Sequence, residues 1–317
     1  MSRVYITDYI DNPTLEREVL GSQVSTKQQS EAEVLLVWHQ KIDANYLNQF
    51  PKLSGVVRYG VGFDNIDLAE IKKRGLVFCN TPDYGTDEVS DTALAMMLSL
   101  LRGVFAYDYF SRDYVDSWQE NTIQRLKRVS GLTLGVIGAG RIGTALMRKA
   151  KALDMDIVFY DPYKDSGYEK AIGVRRCHDL SEFLAQCDVV SIHTPLTEET
   201  HSMVSQSFID SMKEGAILIN SSRGEVLENL DIVYDALQSK QLDAVALDVL
   251  PDEPPVNCRL IDAWRMRDSE LSHRIIINPH TSYYTQESYA EMRTKAAENA
   301  KRILDGEQPL NIITDGR

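Results

Sequence analysis

The stretch AILINSSRG (216–224) carries an apolar run toward a core and sets Arg223 just past its end. An arginine cannot lose its proton, and burying it without a partner is costly. Arg223 therefore either escapes to solvent or is met by something anionic. Two further polar residues stand near the ends of later apolar runs: Glu253 in ALDVLPDEPP and His280 in INPHTSYY. Ligands of open parallel sheets bind beyond the carboxyl ends of the strands, so residues far apart in the chain can converge there. Each of the three has a bland alternative: a surface arginine, a loop charge before Pro-Pro, a structural histidine. Their equivalent positions downstream of a dinucleotide-type loop favour function.

That loop is Gly138-Ala139-Gly140-Arg141-Ile142-Gly143, within LGVIGAGRIGTALMRKAKALDMDIVFYD (134–161). A strand leads in, a helix leads out, and a second strand ends at Asp161. The first glycine makes the turn, the second lets backbone approach a pyrophosphate, and the third lets helix and strand pack closely. The helix N-terminus adds unpaired N–H groups for the phosphates. Asp161 is placed to accept hydrogen bonds from a ribose diol and to repel a 2′-phosphate, which favours NAD over NADP.

The elements that must position these residues alternate almost throughout. Strands are predicted at 4–7, 34–38, 55–60, 76–78, 132–137, 156–160, 188–192, 216–220, 243–248 and 274–278. Amphipathic stretches lie between most of them, including single helices at 86–110 and 286–307. Apolar strands separated by helices argue for parallel sheets covered on both faces. A chain of 317 residues is natural for two domains. Its charge of −13 speaks against nucleic acid. Its longest apolar run, ALAMMLSLL (93–101), is far short of the roughly 20 residues of a membrane span. The start has no signal-peptide layout. The four cysteines form no C-x-x-C pair, so no metal site is expected, and scattered thiols fit a cytoplasmic protein.

The sequence resembles the D-isomer-specific 2-hydroxyacid dehydrogenases. The matching motifs run in order: RYGVGFDNIDL (58–68), EVSDTALAMML (88–98), GVIGAGRIG (135–143), HTPLTEET (193–200), INSSRGEVL (219–227), ALDVLPDEP (246–254) and NPH (278–280). Within the family, RYGVGFDNID and FYDPYKDSGYEKAIGV (159–174) look most similar to the C-terminal-binding-protein branch, which includes dehydrogenase-like corepressors. The resemblance implies reversible hydride transfer between NAD(H) and a small 2-oxo acid. It implies that Arg223 binds the carboxylate and carbonyl oxygen, for which a planar fork suits better than lysine. It makes His280 the general acid and base, with Glu253 hydrogen-bonding it and favouring its protonated form. It places Asp248 on the nicotinamide carboxamide and Thr194, Pro195 and Ser222 along the cofactor. It assigns the backbone N–H groups of Gly60, Val61 and Gly62 to the substrate carboxylate.

The same resemblance implies a Rossmann cofactor domain (100–288) inserted into a flavodoxin-like substrate domain (1–99 and 289–317). Trp38, His39 and Tyr283 are candidates for the side-chain pocket, with packing an equal alternative. The run from Pro254 to 273 is longer than the usual connection; a lid, a specificity loop and plain surface all fit it. The aromatic span GVFAYDYFSRDYVDSW (103–118) points to a two-fold homodimer. A dinucleotide-sensing, corepressor-like protein is the alternative to an enzyme. Glu253 argues against formate dehydrogenase activity, where the family carries glutamine.

Overall fold

The computed structural model describes residues 2–112, 118–119, 122–266 and 270–314. It consists of two compact units, Met1–Gly85 with Tyr283–Arg317, and Thr86–Ser282.

The first unit holds β1 (Val4–Ile6), β2 (Val24–Ser25), β3 (Val34–Val37), β4 (Gly55–Arg58) and β5 (Val77–Asn80). All pairings are parallel, in the order β2-β1-β3-β4-β5. This is the flavodoxin-like doubly wound order. The apolar residues of β3 are buried on both faces because helices cover the sheet. Val37 pairs with Arg58, so the residues just beyond them, Trp38 and Tyr59, sit level at the carboxyl edge.

The helix Gln286–Leu304 packs on this sheet through Met292, Ala296, Ala297 and Ala300. It also buries Arg293, whose Nε and Nη2 donate to the Glu16 carboxylate at 2.8 and 2.6 Å. The Tyr59 hydroxyl donates to Glu16 as well, at 2.9 Å. A charge pair this deep is tolerated because each partner is bonded, whereas removing one partner would leave the other buried alone. The network ties the ends of the chain together within the unit and braces the end of β4.

The second unit holds β6 (Thr133–Ile137), β7 (Asp156–Tyr160), β8 (Arg175–Arg176), β9 (Val189–Ile192), β10 (Ala216–Asn220), β11 (Leu242–Leu247) and β12 (Ile275–Ile277). The order β12-β11-β10-β9-β6-β7-β8 is parallel throughout. It is the Rossmann order with one strand added at the edge. The switch in winding direction falls between β6 and β9, the position beyond whose carboxyl ends open sheets of this kind bind ligands.

Four sequence expectations change. The units part at 85/86 and 282/283 rather than at 99/100 and 288/289. The helix Thr86–Leu101 packs on the helix Arg141–Lys151 and on β10 and β11, which places it in the second unit. The predicted helix over 86–110 is two, Thr86–Leu101 and Val104–Arg112, bent by 57°. The break follows from Gly103, whose φ of 64° no α-helix accommodates. Strands β2 and β8 were not expected, since two residues give no periodicity to read. The 254–273 run contains the helix Arg259–Arg265. It buries Leu260 and Ile261 completely and pairs Arg259 with Asp231 and Asp235, so it is anchored to the core.

Within the aromatic span, Tyr107 accepts a hydrogen bond from the Ile123 amide, and Tyr109 and Phe110 meet the His273 ring at 4.7 and 4.4 Å. Phe105 and Phe110 remain exposed. Tyr114 lies outside the described residues. Among the described residues, no single helix is long and apolar enough to cross a membrane.

Candidate active site

The end of β10 is shaped by Asn220, which is fully buried. Its Oδ1 accepts from the amide and hydroxyl of Ser222 (3.0 and 2.7 Å), and its Nδ2 donates to the Arg223 carbonyl (2.8 Å). One side chain thus folds the turn that carries Arg223. Gly224 then lies against the next loop so closely that a Cβ there would stand 1.9 Å from the Leu250 carbonyl carbon. Only glycine permits this approach. The Leu250 amide donates to Glu253 Oε1 at 2.9 Å, which fixes the carboxylate beyond β11.

The other oxygen, Glu253 Oε2, lies 2.8 Å from His280 Nδ1. His280 sits past β12 with φ 54°, in the left-handed region that side chains rarely adopt. Asp248 imposes that turn. Its carbonyl accepts from the His280 amide at 2.8 Å, and its carboxylate accepts from the amides of Thr281 and Ser282 at 3.1 Å each. Burial pushes the Asp248 carboxyl above its ordinary value, against the Ser282 bond and the His280 charge. Burial also pushes Glu253 upward. There the hydrogen bond and charge of His280, the Leu250 amide and the charge of Arg223 prevail, so the carboxyl lies below its ordinary value. A charged fork, a carboxylate and an imidazole thus come together in the second unit, although three strands carry them. The imidazole is well placed for proton transfer and the fork for holding an anion.

At the head of the same sheet, Gly138 turns at φ 89°, and a Cβ on it would meet the His193 carbonyl oxygen at 2.6 Å. A Cβ on Gly143 would meet the Gly138 oxygen at 2.1 Å, whereas at Gly140 there is open space. The helix Arg141–Lys151 begins directly behind that space. Asp161 directly follows the neighbouring strand β7. Its two oxygens accept from the Ala139 and Tyr163 amides, each at 2.9 Å, which fastens it beside the loop. Thr194, next to the loop, has a buried hydroxyl oxygen with no partner among the described residues. Pro195 follows β9 and Ser222 follows β10, neighbouring strands of the sheet.

In the first unit, the loop after β4 corrects one expectation. The Gly60 amide is already committed to Thr81 Oγ1 at 2.6 Å, so it is not a donor for a ligand. The amides of Val61 and Gly62 have no protein acceptor among the described residues. Trp38 follows β3 and is buried, and its ring meets those of His39 at 5.9 Å and Tyr283 at 6.3 Å.

The model of the D-isomer specific 2-hydroxyacid dehydrogenase NAD-binding domain matches residues 94–282. The glyoxylate reductase of Korarchaeum cryptofilum (strain OPF8) is 35% identical over 275 residues, covering 86% of this chain and 79% of that protein. That of Thermococcus litoralis (strain ATCC 51850 / DSM 5473 / JCM 8560 / NS-C) is 33% identical over 279 residues, covering 86% and 80%. The chain belongs to the D-isomer specific 2-hydroxyacid dehydrogenase family. Among solved structures, the D-lactate dehydrogenase of Aquifex aeolicus, complexed with NAD and lactic acid, is 28% identical. It superimposes with a TM-score of 0.84, covering 99% of this chain and 100% of that one.

A dinucleotide fits the residues of this family member. The open space at Gly140 lies at a helix N-terminus, the Thr194 hydroxyl lacks a partner, and the Asp161 carboxylate stands at the ribose position of the motif. Asn220 and Gly224 were missed in the sequence. Their signal was present, an asparagine ending a strand and a glycine following the arginine, but neither is itself reactive.

His193 is a structural neighbour of this edge. Its Nε2 lies 2.8 Å from Ser191 Oγ, and burial lowers its pKa to about 4. The unfolded chain takes up this proton near 6.5, so it binds more protons than the fold between those values. Stability is therefore predicted to fall as pH drops from about 6.5 to 4, by roughly 2 to 3 kcal/mol from this residue. His193→Gln should flatten that stretch of the curve in urea unfolding series. An unchanged slope would show that other groups carry it.

Proposed function

We propose that this protein is an NAD-dependent D-2-hydroxyacid dehydrogenase acting on a small 2-oxo acid. The observation that supports it most is the 2.8 Å bond between Glu253 and His280, beside Arg223 and downstream of the glycine loop. NAD(H), when bound, supplies or accepts the hydride. Gly138, Gly140, Arg141, Ile142 and Gly143 hold its phosphates, with Asp161 at the ribose and Thr194, Pro195, Ser222 and Asp248 along its length. Arg223 binds the carboxylate and carbonyl oxygen of the 2-oxo acid and turns the carbonyl toward His280. Within the first unit, the amides of Val61 and Gly62 are the backbone donors on offer to a carboxylate. His280, hydrogen-bonded to Glu253, gives its proton to the carbonyl oxygen in reduction and takes it back in oxidation. Asp248 acts twice, since it also shapes the turn that aims His280.

The assignment to a branch like the C-terminal-binding proteins rests on FYDPYKDSGYEKAIGV and RYGVGFDNID. The exposed Phe105 and Phe110 support a homodimer, which light scattering at micromolar concentration reads directly.

Wild-type protein should oxidise NADH with members of a panel of 2-oxo acids that includes glyoxylate and pyruvate. Arg223→Lys should lower kcat/KM across the whole panel by on the order of 100-fold, at every pH, because the two-pronged fork is lost. NADH binding without turnover on any member would instead support the sensing, corepressor-like reading.

Asp161→Ala should narrow the preference for NAD over NADP by at least about tenfold in kcat/KM. The Arg176 guanidinium, which donates to the Asp161 carbonyl at 2.6 Å, would then stand near a 2′-phosphate without an opposing carboxylate. An unchanged preference would place cofactor choice elsewhere.

A further inference from the structure

The helix Arg259–Arg265 belongs to a run of chain to which the dehydrogenase reading gives no role. Within the second unit it lines a cavity of about 310 Å³, together with the helix Leu230–Gln238. Lys240 and Arg274, which stand just before β11 and β12, line it as well. The cavity thus lies where these two strands begin, whereas Glu253 and His280 follow their ends.

Arg274 is only 7% exposed. Its Nε donates to the Asp243 carbonyl at 2.5 Å, and its Nη2 donates to the carbonyls of Leu237 and Leu242 at 2.9 and 2.7 Å. Three carbonyls fix the guanidinium plane, but none brings a negative charge, and Nη1 has no partner among the described residues. The Asp243 carboxylate is bonded to Arg125 at 2.7 Å instead. Burial, with the charge of Arg125, prevails over the charges of Asp243 and Glu270, so the Arg274 pKa lies below its ordinary value. A buried guanidinium without a counter-charge is costly, and the cavity it lines gives an anion a way to reach it.

The other charges around the cavity are of both signs. The Lys240 ammonium has no bonded partner among the described residues. Lys240 also stands behind its helix at φ 65°, a position where glycine or asparagine is usual. Asp262 and Glu270 line the same space, and their carboxylates are likewise unpaired among the described residues. Arg259 is already neutralised by Asp231 and Asp235. Two cations and two carboxylates therefore surround one cavity without pairing with each other. A phosphate or a dicarboxylate would be opposed by Asp262 and Glu270. A molecule with one carboxylate and one ammonium answers both signs. The rest of the lining includes the Tyr234 ring, the buried Leu271 and the exposed Met266, whose flexible thioether chain adapts to what it covers.

We propose that this cavity is a binding site for an α-amino acid with an apolar side chain. Arg274 and Lys240 take its carboxylate, Asp262 and Glu270 take its ammonium, and Tyr234, Leu271 and Met266 receive the side chain. The volume stands at the small end of ligand pockets, which suits a molecule of that size. The site shares no residue with the set assigned to NAD and the 2-oxo acid, so it stands or falls independently of the dehydrogenase reading.

The test is isothermal titration calorimetry of the full chain with L-leucine and L-phenylalanine, and with 4-methylpentanoate and 3-phenylpropanoate. The last two keep the carboxylate and side chain of the amino acids but lack the ammonium. Lys240→Asn and Asp262→Asn are the site variants. Both residues are exposed, and asparagine accepts the left-handed φ at 240, so the fold survives while one charge is lost. At least one of the two amino acids should bind wild type saturably, with Kd below about 1 mM. Each variant should weaken that binding by about tenfold, the scale of one charged hydrogen bond, and so should removal of the ammonium from the ligand. No saturable binding of either amino acid overturns the proposal. Affinity unmoved in both variants puts the binding elsewhere and overturns it as well. Equal affinity for the acids without ammonium would mark a site for anions alone and overturn the amino-acid class.

Discussion

The hydrogen bond between Glu253 and His280 is the interaction around which the second unit is arranged. Its two residues leave adjacent parallel strands, β11 and β12, whose loops would not meet at 2.8 Å without help. Asp248 supplies it on one side by gathering the amides of Thr281 and Ser282 and holding His280 in a left-handed turn. The Leu250 amide supplies it on the other by gripping the second oxygen of Glu253. Gly224 then lets the Arg223 turn lie directly on Leu250. The strain at His280 is offset by bonds to a buried carboxylate, a pattern expected where a side chain must be aimed rather than merely accommodated.

Electrostatics give the arrangement its direction. Glu253 is half-buried, which by itself would favour the neutral acid. The charges of His280 and Arg223 reverse that outcome. Asp248 shows the opposite balance. It is nearly inaccessible, and burial prevails over the groups that favour its charge. Two carboxyl groups a few residues apart are therefore driven in opposite directions by their surroundings, and only Glu253 is suited to hold a cation in place.

Much of this was legible in the chain. The order of strands and helices, and the glycine spacing from Gly138 to Gly143, depend on local periodicity and on turn chemistry. Arg223, Glu253 and His280 could be grouped because a parallel sheet delivers its strand ends to one edge. What escaped was set by close approach in three dimensions. Asn220 and Gly224 matter through what they touch, and neither Leu250 nor the Ser222 amide can be foreseen as a neighbour from spacing. The Gly60 amide looked available until Thr81, which comes 21 residues later, proved to occupy it. The break at Gly103 was hidden by continuous helical periodicity on either side.

The central proposal is that His280 exchanges the proton of the reaction and depends on the charge of Glu253 beside it. It is tested most directly by the pH profile of kcat/KM for reduction in wild type and Glu253→Gln, with a substrate for which chemistry limits the rate. Glutamine keeps a hydrogen-bonding side chain but removes the charge. The account predicts that the variant loses activity at a lower pH than wild type as the solution is made alkaline, while oxidation gains relative to reduction near neutrality. A profile for reduction that stays in place would contradict it.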